Sequence, residues 1–153
     1  MPDMEDRTSG AAVAQLRVVL AVDDFDAVVR LYRDGLGLPE IPVPAGPGGA
    51  RIAIFGVGDA TLEISNAAQV RYIDQVETEG QVSGPVRLAF EVGDTPAATR
   101  ALLDSGGELL APPRTTPWGS VNSRIQPPEG PQLTLFQEPP RPQTPAPGGT
   151  ARE

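Results

Sequence analysis

The sequence predicts an α+β domain made of two successive βαβββ modules, and three observations predict it. Two β-branched runs, Leu16 to Val22 and Val86 to Val92, each lead into a capping signal and a helical stretch. Each helix is followed by three more strand-like segments separated by Gly and Pro. The halves also align with an offset of about seventy residues, which sets Arg17 on Arg87, Val22 on Val92 and Asp24 on Asp94.

In module one, residues 14–66, the first strand ends at Asp23-Asp24, either of which suits a helix N-cap. Phe25, Val28, Val29, Tyr32 and Leu36 then recur at helical spacing, and Gly35 and Gly37 offer a left-handed stop. Ile41-Pro42-Val43-Pro44 reads as a short edge strand, because proline cannot donate to a ladder. Ala50 to Phe55 and Ala60 to Ser65 form a hairpin across Gly56-Val57-Gly58-Asp59. Residues 67–84 connect the modules, with Val70, Ile73 and Val76 spaced as one face of a short helix; a lid over a cavity is the other role open to Asn66 to Glu79.

Module two, residues 85–138, repeats the plan. After Val86 to Val92, Thr95 suits an N-cap and Pro96 the first helical position, and Gly106-Gly107 closes the helix. Glu108 to Leu110, Gly119 to Ile125 and Gln132 to Phe136 are the remaining strands. The flanks, residues 1–13 and the Pro/Gly-rich 139–153, carry too little apolar surface to order themselves and are expected to be flexible and disordered.

Composition narrows the chemistry. The 153 residues contain no His and no Cys, and all twelve basic residues are Arg. Zinc fingers, iron–sulfur clusters, imidazole acid–base catalysis and Cys or Ser-His nucleophiles are excluded, and the absence of Lys removes Schiff-base chemistry. A net charge of −8 opposes nucleic acids and anionic membranes as partners. The acidic N-terminal residues do not match a signal peptide, and no apolar run suits a membrane span, so a cytoplasmic location is expected.

Four phrases in order are similar to the vicinal-oxygen-chelate superfamily, which includes glyoxalase I, extradiol dioxygenases and bleomycin resistance proteins. They are Leu20-Ala21-Val22-Asp23-Asp24, Leu31-Tyr32-Arg33-Asp34-Gly35-Leu36-Gly37-Leu38, Leu88-Ala89-Phe90-Glu91-Val92, and Trp118-Gly119 with Pro127-Pro128-Glu129-Gly130-Pro131-Gln132-Leu133-Thr134-Leu135. The resemblance covers residues 14–138. It implies the glyoxalase/bleomycin resistance fold, in which the modules form an open, curled mixed sheet around a ligand cavity, and it implies a homodimer. It also implies four metal-ligand positions, which fall here on Arg17, Glu63, Arg87 and Thr134. Two guanidinium groups repel a cation, so the reading is a site with no metal and no cofactor.

Strand alternation reaches a compatible picture on its own. Thr61, Glu63 and Ser65 lie opposite Leu62 and Ile64; Arg17 and Val19 lie opposite Leu16, Val18 and Leu20; Arg87 and Ala89 lie opposite Leu88 and Phe90. With the apolar faces under helices, Arg17, Arg87 and Glu63 make a polar floor, together with Thr134. That floor is either an anchor for a ligand or a closed structural ion network. Trp118 suits stacking on a flat ligand or packing on a loop or partner, Phe55 suits ligand contact or core, and Asn122 offers a polar anchor.

The expected function is metal-independent binding of a small molecule, of the kind that sequesters an antibiotic or natural product, through Arg17, Phe55, Glu63, Arg87, Trp118, Asn122 and Thr134. The alternative is a metal-free enzyme of the same fold, an isomerase, cyclase or lyase acting on a small carbonyl or aromatic metabolite, with Glu63 as base and Arg as oxyanion stabiliser. A structural role predicts instead a cavity filled by Phe55, Phe136 and Trp118.

Overall fold

A computed structural model describes residues 12–140. The expected flexible N-terminus and disordered tail lie almost entirely outside these described residues. Eight strands form one continuous mixed sheet: β1 Val13–Ala21, β2 Glu40–Ile41, β3 Ile52–Val57, β4 Ala60–Ser65, β5 Val86–Val92, β6 Glu108–Thr115, β7 Val121–Gln126 and β8 Gln132–Gln137. Their spatial order is β2-β3-β4-β1-β5-β8-β7-β6. Within each module the first strand pairs parallel with the last, Val19 beside Glu63 and Ala89 beside Thr134. The modules join through antiparallel β1 and β5, where Val19 faces Arg87. The duplication seen in the sequence is therefore a duplication of register.

Among the described residues three α-helices complete the fold: α1 Phe25–Arg30, α2 Ala67–Thr78 and α3 Thr95–Asp104. Asp24 caps α1 by accepting from the Ala27 amide at 3.2 Å, and the chain continues as a wider π turn over Leu31–Gly35. The stop is at Gly37, which takes φ 71°. The cap of α3 is Asp94, accepting from the Ala97 amide at 3.1 Å, in place of the expected Thr95. The Thr95 hydroxyl is occupied elsewhere, donating to the Val121 carbonyl at 2.7 Å and tying the helix to β7.

The apolar stripes of α1 and α3 cover one face of the sheet. Under α1, Val29 packs with Ala53, Phe55 and Ile64; under α3, Ala98 packs with Val92, Ile125 and Leu135. This is the face that alternation assigned to Leu62, Ile64 and Phe90. Two strands differ from expectation. β2 is reduced to two residues ahead of Pro42, while β6 runs on through Pro112 and Pro113 with two register shifts. β6 is an edge strand, where a missing N–H costs no ladder bond. The hairpin between β3 and β4 is also tighter than expected, with Val57 paired to Ala60 and Gly58 at φ 58°.

Candidate functional site

The other face of the sheet is concave, and alternation places on it Arg17 and Val19 from β1, Ile52 and Ile54 from β3, Glu63 and Ser65 from β4, Arg87 and Ala89 from β5, and Thr134 and Phe136 from β8. They surround a cavity of about 440 Å³, within the size range of small-molecule sites. Half-exposed Trp118 stands at its mouth, with its ring centre 6.1 Å from that of Tyr72 on α2.

The polar floor is uneven. Arg87 is buried and donates from Nη1 to Thr134 Oγ1 at 2.7 Å, and Thr134 passes the contact on by donating to Glu77 Oε1 at 2.8 Å. Arg17 is only partly buried. Its Nε donates to Gln15 Oε1 at 2.9 Å, its Nη2 lies 3.2 Å from Glu138 Oε2, and its guanidinium stacks 4.3 Å from the Phe136 ring centre. Glu63 differs from both. It is 8% exposed and lines the cavity, yet among the described residues nothing hydrogen-bonds its carboxylate. Thr61 Oγ1 is the one fully enclosed side-chain polar atom without a partner among them, so the Glu63 oxygens keep access to the cavity. Burial pushes the Glu63 carboxyl above its ordinary range, against the pull of Arg17 and Arg87 and with a further push from Glu77.

The wall opposite the β3–β4 side is α2, which lies across the concave face of module two. Its buried residues are polar: Gln69, Asp74 and Glu77. Arg124, fully buried on β7, donates from Nη2 and Nε to Glu77 Oε1 at 2.8 and 3.1 Å, and from Nη1 to Asp74 Oδ1 at 3.1 Å and Gln132 Oε1 at 2.9 Å. Asn122 Nδ2 donates to Glu77 Oε2 at 2.8 Å while its own oxygen accepts from Ser120 Oγ at 2.7 Å. The Ser83 amide and hydroxyl both donate to Asp74 Oδ2 at 3.1 Å. Burial alone would raise Glu77, but Arg87 and Arg124, with hydrogen bonds from Arg124 and Asn122, hold it below the usual carboxylate range. Desolvation lowers Arg87, with Glu77 pulling the other way.

Six residues singled out from the sequence, Arg17, Glu63, Arg87, Trp118, Asn122 and Thr134, are brought together around this one cavity. Phe55 is not. It is fully buried in the α1 core, because Phe55 shares the parity of Ala53 on β3 and it is Ile52 and Ile54 that turn inward. Phe136 faces the cavity. The stretch read as connector or lid joins the modules and lines the cavity through Gln69, Tyr72, Ile73 and Glu77. Sequence reasoning missed Glu77 and Arg124. The available signals were the alternation of Asn122 and Arg124 with Ser123 and Ile125, and the carboxylates at i and i+3 on α2, Asp74 and Glu77.

The donor set does not fit a divalent metal. Of the four positions that the fold aligns on β1, β4, β5 and β8, two are guanidinium groups and one is a hydroxyl already held between Arg87 and Glu77. Among the described residues no three carboxylates gather as a metal cluster would require.

Comparison with known proteins accords with this geometry. The family model described as Glyoxalase/Bleomycin resistance protein/Dioxygenase superfamily matches residues 14–145. A methylmalonyl-CoA epimerase from Mycobacterium tuberculosis is similar in structure, with a TM-score of 0.60 at 23% identity over 87% of this chain and 92% of that one. A hypothetical protein from Bacillus halodurans C-125 gives a TM-score of 0.61 at 15% identity, covering 84% and 96%. A superfamily member from Vibrio splendidus 12B01 gives 0.56 at 12% identity, covering 80% and 97%. At these identities the likeness is one of fold. The search of curated proteins returns no match.

Proposed function

Because the chain belongs to the Glyoxalase/Bleomycin resistance protein/Dioxygenase superfamily, we propose that it binds a small organic molecule in the concave cavity without a metal ion. The observation that carries this reading is Glu63: a buried carboxyl that opens into a cavity of about 440 Å³ and has no hydrogen-bond partner among the described residues. Leaving such a group without a partner is costly, and a ligand polar group supplies what the protein withholds. The cavity is also not filled by its aromatic residues, which speaks against a purely structural role. Trp118, Tyr72 and Phe136 offer flat apolar surface, Glu63 and Arg87 polar anchors. Asn122 and Thr134 serve mainly to hold the wall, since their polar atoms are already engaged. Sequestration of an antibiotic or natural product is the finer form of this proposal, and a homodimer and a cytoplasmic setting go with it by resemblance. No helix among the described residues is long and apolar enough to cross a membrane.

Glu63 also favours a second reading. A carboxyl raised by burial is a better general base than an ordinary one, and Arg87 beside it suits an oxyanion, as a metal-free isomerase or lyase would need. Turnover separates the two. Trp118 is the sole Trp, so its fluorescence reports ligands at the mouth directly. In a screen of natural-product-like compounds, the binding reading expects saturable changes at one ligand per site with the compound recovered intact. Compound consumed in excess over protein identifies the enzyme, and no response from any compound contradicts both.

A further inference from the structure

The charges around the cavity do not cancel, and the imbalance says what kind of ligand group belongs there. Five ionisable side chains are buried on the concave side: Arg87 and Arg124, and Asp74, Glu77 and Glu63. Arg124 is bonded to both Asp74 and Glu77. Arg87 reaches Glu77 through Thr134. Two guanidinium groups thus answer two carboxylates, and Glu63 is the third carboxyl. Arg17 also faces Glu63, but its pairing with Glu138 makes those two together neutral in the count. Burial pushes Glu63 towards its protonated form, against the pull of Arg17 and Arg87.

We propose that the cavity selects ligands carrying one organic cation, an amine, amidine or guanidine, and seats that cation on Glu63 with the flat remainder running past Phe136 to Trp118 and Tyr72. This rests on the reading of the cavity as a ligand site. A cation with N–H donors gives the carboxylate the hydrogen bonds it lacks and leaves the buried charges balanced. An anion would find the remaining N–H groups of Arg87, but it would sit beside Glu63 and Glu77 and leave the buried cluster negative. The aromatic mouth suits a delocalised cation in transit, and the chain's net charge of −8 draws cations towards it.

The titration of Glu63 makes binding depend on pH. The groups facing Glu63 are Arg17 from β1, Arg87 from β5 and Glu77 from α2; β3 contributes only Ile52 and Ile54, β8 the uncharged Thr134 and Phe136, and Tyr72 and the Arg17-paired Glu138 line the same cavity. Both Arg residues stay charged where a carboxyl titrates, and Glu77 is held in its ionised form. Affinity for a cation therefore rises as pH increases through the Glu63 transition, and affinity for an anion falls.

The test uses the full chain and three planar probes of nearly one shape: benzamidinium, benzamide and benzoate, titrated at millimolar concentrations with Trp118 fluorescence and ligand-observed NMR. Benzamidinium is expected to bind most tightly, to gain affinity with rising pH, and to lose roughly tenfold or more in Glu63→Gln, the scale of one charge-assisted contact. The wild-type pH profile is a readout that does not depend on how well the variant folds. Tightest binding by benzoate, equal binding of all three, or an unchanged Glu63→Gln overturns the cation assignment while leaving a ligand cavity standing. No binding of any probe in either measurement overturns the assignment together with the cavity reading beneath it.

Discussion

Glu63 and Glu77 are both buried carboxyls, and their surroundings push them in opposite directions. The folded state binds the Glu63 proton more tightly than the unfolded chain does, so its contribution to stability is full at low pH and is lost as pH rises through its raised folded value. Glu63→Gln, which mimics the protonated form, is expected to raise the melting temperature at pH 8 by about 3 °C, the equivalent of ~1 kcal/mol at this size, and by less at pH 5. Equal effects at the two pH values in thermal melts would contradict this. Glu77 has the opposite sign: its depressed value stabilises the fold above the unfolded carboxyl range, about pH 4, and that stability is lost as pH falls through the folded value. Arg124 holds two carboxylates at once. Arg124→Met removes the salt-bridge partner of both and is expected to cost about 3–5 kcal/mol in urea denaturation. Combining it with Asp74→Leu and Glu77→Leu should recover most of that loss. A small loss in the single variant would show that the network is not the clamp described.

At the scale of elements, α2 shapes the site. A helix whose buried residues are Gln69, Asp74 and Glu77 is not held by an apolar stripe, so its ends and its polar contacts must hold it. Asn66 is its N-cap, accepting from the Gln69 amide at 2.9 Å, and the same side chain accepts from the Arg51 amide and donates to the Gly49 carbonyl, both at 3.0 Å. Asn66→Ala is therefore expected to cost more than the usual cap value of about 1 kcal/mol, and to loosen the Tyr72 side of the mouth. Chemical denaturation and hydrogen exchange of the α2 amides check both, and unaltered α2 protection would count against the helix being pinned at this end. This is also where sequence reading ran short. Val70, Ile73 and Val76 suggest an apolar face and a bland connector, but Glu77 meets Arg124 47 residues further on. No local pattern announces such a pairing. Strand parity was easier, because Leu62, Glu63, Ile64 and Ser65 alternate cleanly. It failed to settle Phe55 because Ile52, Ala53, Ile54 and Phe55 are apolar on both faces.

For the whole molecule, the duplication was legible because a seventy-residue offset preserves both the caps and the strands, and it places Arg17 and Arg87 in matching seats on β1 and β5. The asymmetry was not legible, since it arises in three dimensions: α2 fills the concave side of module two, and the cavity remains beside the floor of module one. The result is a superfamily cup whose metal-ligand positions carry guanidinium and hydroxyl groups, and whose Glu63 lines the cavity with no hydrogen-bond partner among the described residues. Native mass spectrometry of the protein isolated from its own cells, with elemental analysis of the same sample, tests that account most directly. It predicts no stoichiometric metal and, in the fraction isolated with ligand, one small organic molecule per chain. A divalent metal at one per chain would contradict it and return Glu63 to the role of a metal ligand.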